Sequence, residues 1–352
     1  MKNKSIHDLC LAESQRINTK TIGIKMTMTL LTSLLAIPVC YLALASLLVC
    51  IPVRKQPVVD SLDFDVLNGK ADNLQLSEQT YASRSGSELF YRFIAGKTNT
   101  ILVLLHGSGA EGRYLLHPAQ KLSIATEISV VIPDLRGHGR SAKKTLGDID
   151  YIGQYEDDLE DLRLHLSQQY PNSSIILGGH SSGGGLAIKY AGGDRVAFDG
   201  YLLLAPYLGY RAPTVRPNSG GWVQVSTRRY IGLTMLNNVG IKLFNSLPVL
   251  FFNRPKEWSD PLQAESYSYR LNESFSPQAY EKNLQKNNKP VLVLVGADDE
   301  AFYAEKFEAV FSKNAPHALV KIIPKVKHLN LPSNEDTINI MSSWINSTYQ
   351  GH

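Results

Sequence analysis

The sequence Gly179-His180-Ser181-Ser182-Gly183 holds a serine in a setting that can make a nucleophile of it. The apolar run Ile175-Ile176-Leu177 before it reads as a strand, and Gly184-Gly185 opens a helical pattern after it. A G-x-S-x-G sequence at a strand-to-helix junction turns its serine onto a sharp elbow, and the glycines let helix and strand approach closely. Serine alone is a poor nucleophile; it needs a base, and the base needs an acid to orient it. Both types follow in the order Ser, acid, His: Asp298 and Asp299 after the strand-like VLVLVG, and His328 after LVKIIP. Each falls where a loop leaves the carboxyl edge of a sheet, where α/β proteins build their sites. Asp298 and Asp299 compete for one role, and Asp299 is taken. His106, His138 and His180 compete with His328 on residue type, but each lies in an earlier loop, His106 and His138 directly before a glycine, and reads as structural.

Acyl transfer through a serine develops an oxyanion, which backbone N–H groups can stabilise by several kcal/mol. The amides of Ser108, in His106-Gly107-Ser108-Gly109 after the apolar run ILVLL, and of Ser182 are the candidates for this oxyanion hole. The same stretch offers a rival chemistry. Gly107 to Gly112 fits G-x-G-x-x-G after a strand, and Asp134 ends the next strand, as in a dinucleotide-binding fingerprint. Against it stand Pro118, early in the helix this motif requires, and the run of Asp134 straight into Leu135-Arg136-Gly137-His138-Gly139-Arg140-Ser141. A nicotinamide reading also leaves Ser181, Asp299 and His328 unexplained. The expectation is chemistry with no metal and no organic cofactor.

These residues need a scaffold, and the chain supplies one by alternating short β-rich runs with helical patterns. Strands are expected at 89–94, 101–106, 129–133, 174–179, 200–205, 290–296 and 319–323. Helices are expected at 154–169, 182–191, 301–313 and 334–347. Runs that are apolar throughout belong to strands buried on both faces, so the fold class is α/β with a mostly parallel sheet. The alternation breaks between Tyr207 and Asn288, too long a stretch for a loop without structure of its own. It reads as an inserted subdomain, aromatic-rich, with ten basic and five acidic residues.

Taken in order, HGSGAEGRY, PDLRGHGRS, GGHSSGG, GADDE and VKHLNL resemble the α/β-hydrolase superfamily, in its monoacylglycerol lipase, lysophospholipase and serine aminopeptidase-like branch. The resemblance covers about Tyr81 to Trp344. It implies an α/β-hydrolase fold with Ser181 as nucleophile, Asp299 as acid, His328 as base, and the Ser108 and Ser182 amides as oxyanion hole. The family's acid usually sits three residues after the glycine, which supports Asp299. The insert corresponds to the family's lid, its most variable part, so substrate does not carry over. Arg136 and His138 match a loop that braces the site. The implied function is hydrolysis of a carboxylic ester, of a lipid-like monoacylglycerol or lysophospholipid type. Peptidase, thioesterase and acyltransferase activities share the triad, and a catalytically dead hydrolase fold used for binding is the rival from another class.

Composition bounds the rest. With 43% hydrophobic residues, three cysteines and a net charge of +4, the chain is neither disordered nor a disulfide scaffold. Residues 1–55 carry seven basic and two acidic side chains, and the remainder is close to neutral, so the charge does not indicate a nucleic-acid partner. The excess flanks Met26–Val53, which contains no charged residue and is long enough to cross a bilayer. The expected organisation is a cytoplasmic tail (1–25), a transmembrane signal anchor (26–53), a linker (54–72), a hydrolase core (73–206 and 289–352) and a lid (207–288). The basic residues before the span place the hydrolase outside, periplasmic or extracytoplasmic; a start at Met26 or Met28 would remove that bias. A cleaved signal peptide ending near Ala45, giving a secreted enzyme, is the alternative, and the fit of Cys50 to a lipidation site is poor.

Overall fold

A computed structural model describes residues 6–53, 61–64, 76–142 and 145–350 and, within its first helix, the backbone alone at 6–9, 24 and 29–35. The expected linker, 54–72, therefore lies outside the described residues apart from 61–64.

By compactness the chain forms two units. The larger, Val53–Ser226 with Asn245–His352, is built on an eight-stranded sheet. Its strands are β1 (Leu76–Ala82), β2 (Glu88–Ile94), β3 (Thr100–Leu105), β4 (Ser129–Pro133), β5 (Ser174–His180), β6 (Gly200–Leu204), β10 (Val291–Gly296) and β11 (Leu319–Ile323). Their spatial order is β1-β2-β4-β3-β5-β6-β10-β11. The β1–β2 and β2–β4 pairs are antiparallel, and every pair from β4 to β11 is parallel. Every residue of β3, β4, β6 and β10 is buried, which requires cover on both faces and accounts for their apolar sequences. The helices are α2 (Leu116–Thr126), α3 (Gln154–Gln169), α4 (Ser182–Ala191), α8 (Phe307–Asn314) and α9 (Glu335–Ile345).

All seven expected strands and four expected helices form, within a few residues of the expected ends; part of the 301–313 helix is a 3₁₀ turn. β1 escaped the reading because it is an edge strand, LSEQTYA, with one fully buried residue. α2 is not among the expected helices because Pro118 argues against a helix there. Pro118 occupies the first turn, where its missing N–H costs nothing, so α2 forms regardless.

Between β6 and β10 the chain adds β7 (Val223–Val225), α5 (Thr227–Asn238), β8 (Pro248–Phe252), β9 (Ser266–Ser268), α6 (Tyr269–Phe275) and α7 (Tyr280–Lys286). β7, β8 and β9 form a small antiparallel sheet of their own. The insert does not stay together as the expected single subdomain. Thr227–Phe244 leaves it to join Met1–Pro52 in the smaller unit.

The smaller unit pairs α1 (Ile6–Cys50) with α5. A Cβ at Gly232 would lie 2.7 Å from the Ala45 carbonyl, so glycine allows this close crossing. The Tyr41 hydroxyl donates to the Met235 carbonyl at 3.0 Å. Leu11, Ile17, Met26, Ile37, Val39 and Leu47 are exposed along α1, as are Cys10, Cys40 and Cys50. Among the described residues no helix is long and apolar enough to cross a membrane. The uncharged run of the sequence lies largely within α1, and its side chains at 29–35 are outside the described residues.

Candidate active site

Ser181 ends β5 and begins α4 with φ +56° and ψ −120°, a conformation that L-residues avoid and that costs about 1–3 kcal/mol. The strain is held by three backbone bonds. The Ser181 N–H donates to the Leu204 carbonyl at 2.9 Å, and its own carbonyl accepts from Gly185 at 3.1 Å and Tyr207 at 2.9 Å. Gly183 has no space for a side chain: a Cβ there would sit 2.6 Å from the Leu105 and His106 carbonyls. The motif's glycines thus press the elbow against β3 and the loop that follows it.

Asp299 and His328 meet across the adjacent strand ends. His328 Nδ1 lies 2.7 Å from Asp299 Oδ2, and both side chains are buried. Asp299 Oδ1 accepts the backbone N–H groups of Ala301 at 2.9 Å and Phe302 at 2.8 Å. The neighbouring Asp298 is exposed. A carboxylate so anchored fixes the imidazole ring with Nδ1 toward the acid and leaves Nε2 as its free nitrogen. The Phe302 ring meets His328 edge-on at 5.1 Å, and Glu300 accepts the His328 backbone N–H at 2.9 Å.

His180, read as structural, packs directly against His328 with ring centroids 4.6 Å apart. Its Nε2 lies 3.1 Å from the His328 carbonyl, which can only accept, so Nε2 carries the proton. Nδ1 then accepts from the Tyr114 hydroxyl at 2.9 Å. Burial holds this imidazole well below its ordinary value, with His328 adding to the effect, so it stays neutral beside the candidate base. Nothing in the spacing of Tyr114, His180 and His328 announces this contact; only the juxtaposition of β5 with the loop after β11 creates it.

The loop after β3 lies against the elbow, where a Cβ at Gly107 would be 3.3 Å from Ser181 Cβ. The Gly107 N–H donates to the Tyr114 hydroxyl at 2.8 Å and the Gly109 N–H to the Tyr267 hydroxyl at 2.6 Å. Among the described residues, neither the Ser108 nor the Ser182 N–H donates to a protein group, and both residues are partly exposed.

The rival motif is put to another use. Asp134 Oδ1 accepts from Arg92 Nη1 at 2.6 Å and from the Gly112 N–H at 2.9 Å, while Oδ2 accepts from the Arg140 N–H at 2.9 Å. Glu111 completes the buried cluster on Arg92. Both oxygens of Asp134 are therefore engaged within the protein. Arg136 makes a two-pronged, buried ion pair with Asp158. His138 stands edge-on to His106 at 4.8 Å and bonds the Tyr267 hydroxyl at 2.6 Å. A cavity of about 400 Å³ is lined by Leu62, Phe64, Trp258, Glu300 and Lys327 among others; it adjoins the sequence neighbours of Asp299 and His328 and does not include Ser181. Among the described residues no cluster of His, Cys, Asp or Glu could hold a metal ion.

A mostly parallel sheet in this strand order, with a serine elbow after its fifth strand and an Asp–His pair after its last two, defines an α/β hydrolase. Residues 96–335 match the family described as serine aminopeptidase, S33, and the chain belongs to that family. It is 28% identical over 132 residues to monoacylglycerol lipase of Mycolicibacterium smegmatis, covering 37% of this chain and 46% of that one. It is 35% identical over 130 residues to the dihydrolipoyllysine-residue acetyltransferase component of an acetoin cleaving system of Pseudomonas putida, covering 36% of this chain and 32% of that one. The chain thus spans less than half the length of either relative. In fold it superposes on a thermostable carboxyl esterase from Bacillus coagulans with a TM-score of 0.60 at 20% identity, covering 79% of this chain and 99% of the esterase.

Proposed function

We propose that this hydrolase is a serine esterase that cleaves carboxylic esters with lipid-like acyl chains, of monoacylglycerol or lysophospholipid type. The 2.7 Å contact between His328 and Asp299, on loops that leave the same sheet edge as the Ser181 elbow, is the observation that carries the reading. His328, held by Asp299, takes the Ser181 proton through Nε2. The hydroxyl oxygen attacks the ester carbonyl, and the oxyanion takes the free amides of Ser108 and Ser182. Collapse expels the alcohol with the proton from His328, leaving an acyl-enzyme. Water, deprotonated by the same His328, then releases the acid and restores the hydroxyl. Relatives named monoacylglycerol lipase and monoglyceride lipase support the ester class.

The insert acts as a lid in this reading, with its aromatic residues available to an acyl chain. Met26–Val53 acts as a signal anchor that holds the hydrolase outside the cytoplasm, supported by its lack of charge and the basic residues before it. Labelling with a fluorophosphonate probe, lost in Ser181→Ala, tests the nucleophile. Ester, aminoacyl-amide and thioester substrates tried side by side test the class, and full p-nitrophenyl ester turnover by purified Ser181→Ala would refute the mechanism. Protease accessibility in intact cells or spheroplasts tests the topology.

A further inference from the structure

The Ser108 N–H belongs to the peptide between Gly107 and Ser108, so its direction is set by the two peptides that flank it. The preceding one is held by the Gly107 N–H on the hydroxyl of Tyr114, a half-buried residue packed against the core of the sheet domain. The following one is held by the Gly109 N–H on the Tyr267 hydroxyl, at 2.6 Å. Tyr267 comes from β9, in the insert. Two further insert side chains grip the same two residues: Arg254 Nη2 donates to the Gly109 carbonyl at 2.6 Å, and Trp222 Nε1 to Ser108 Oγ at 3.1 Å. Gly109 has φ +71°, and a Cβ there would lie 2.9 Å from the Phe252 ring and 3.0 Å from Arg254. The insert is thus seated where only glycine leaves space.

We infer that Tyr267 is a positioning residue for catalysis: its hydroxyl, accepting from Gly109 and donating to His138 Nε2, aims the Ser108 N–H at the oxyanion and makes the hole depend on a seated insert. The inference rests on the proposed role of the Ser108 and Ser182 amides. The Gly109 N–H can only donate to the tyrosine oxygen. His138 Nδ1 lies 3.1 Å from the Arg136 carbonyl and 3.4 Å from the Tyr155 hydroxyl, whose own proton goes to that carbonyl at 2.9 Å, so Nδ1 carries the ring proton and Nε2 accepts the tyrosine proton. Burial keeps His138 neutral, with His106 reinforcing the effect, and burial keeps the Tyr267 phenol protonated, so the relay has one arrangement at physiological pH. The sheet domain therefore carries the nucleophile, acid and base, while the insert finishes the electrostatic part of the site. An insert displaced from Gly109 leaves the triad intact and the oxyanion hole unset.

Tyr267→Phe removes the hydroxyl and keeps the ring, which packs on Phe252, His138 and Phe275. With p-nitrophenyl butyrate as probe, kcat is expected to fall about 10- to 100-fold, the scale for a misaimed catalytic group, with KM within about threefold. Binding of a trifluoromethyl ketone, which forms a tetrahedral oxyanion on the serine, should weaken in parallel with kcat/KM. Tyr190→Phe, which removes from another buried tyrosine a hydroxyl bonded to the Val196 carbonyl, should lower thermal stability and leave kcat unchanged. If wild type labels with fluorophosphonate and hydrolyses ester, but Tyr267→Phe keeps kcat and ketone affinity within twofold, the inference is overturned and the proposed reaction stands. If wild type neither labels nor hydrolyses, the reaction itself falls and takes the inference with it. Should Tyr267→Phe not accumulate as folded protein, Arg254→Gln is expected to give the same kcat-selective loss, and an unchanged kcat there would equally overturn it.

Discussion

Asp299→Asn is a sharper probe of the site than removal of the carboxylate, because the structure dictates which way the new amide must face. Oδ1 accepts two backbone N–H groups, from Ala301 and Phe302, and an amide nitrogen cannot take that place without leaving both donors facing a donor. The asparagine oxygen must stay there, so its NH₂ points at His328 Nδ1, 2.7 Å away in the parent. Nδ1 then has to accept, the ring proton moves to Nε2, and the nitrogen that should take the Ser181 proton already carries one. A wrong tautomer of this kind lowers kcat about 10⁴-fold, or about 5.4 kcal/mol of barrier. The fold should be little affected, since shape and both backbone bonds survive. Ester hydrolysis and fluorophosphonate labelling rates, with circular dichroism to verify folding, measure the effect. Asp298→Asn, at an exposed neighbour, should stay within twofold of wild type. A folded Asp299→Asn enzyme retaining more than a tenth of wild-type kcat, or an equal loss in Asp298→Asn, would refute this account of the acid.

Gly107→Ala would place a Cβ 3.3 Å from Ser181 Cβ and 3.4 Å from the Tyr114 hydroxyl, and is expected to cut kcat about tenfold by shifting the loop a few tenths of an ångström, readable by steady-state kinetics. Burial depresses His106, His138 and His180, so the unfolded chain takes up protons at these sites first. Their contribution is complete above about pH 6.5 and is lost as pH falls below it, by up to about 1.4 kcal/mol per pH unit for each histidine; urea denaturation between pH 7.5 and 5 should show that slope, and a flat profile would contradict it. Asp134→Ala strips Arg92 of its closest carboxylate and orphans the Gly112 and Arg140 amides, and is expected to cost about 3–5 kcal/mol by the same assay.

Much of the fold is legible in the sequence because the central strands are apolar at every position, a pattern that a sheet covered on both faces imposes. β10, VLVLVG, is wholly buried and was recognisable from those six residues. β1 was not, since an edge strand with one face in water carries no such signature. Motif spacing singles out Ser181, His328 and the glycine-rich loop as candidates, and the two candidate aspartates differ physically, since Asp298 is exposed and Asp299 accepts three N–H groups. The roles of Tyr114, His180 and Tyr267 were hidden for a different reason. A tyrosine hydroxyl that meets a backbone amide from a distant segment leaves no periodicity and no motif. The division of the insert was equally silent, because Thr227–Phe244 goes to α1 through a glycine crossing that only the partner helix explains.

The seam between β6 and β10, where Leu202 pairs with Leu292, carries a consequence for how the chain matures. Ser181 lies on the amino side of that seam and Asp299 and His328 on the other, with the whole insert between them. Chains emerge amino end first, so a nascent chain carries its serine for the entire time the insert is being made, without the base proposed to activate it. Closing so distant a pair is a late, slow kind of step. Its entropic cost nevertheless grows by only about 0.6 kcal/mol for each doubling of loop length. Insert length is therefore thermodynamically cheap to vary, whereas a chain terminated anywhere before β10 would have the elbow without its proposed acid and base.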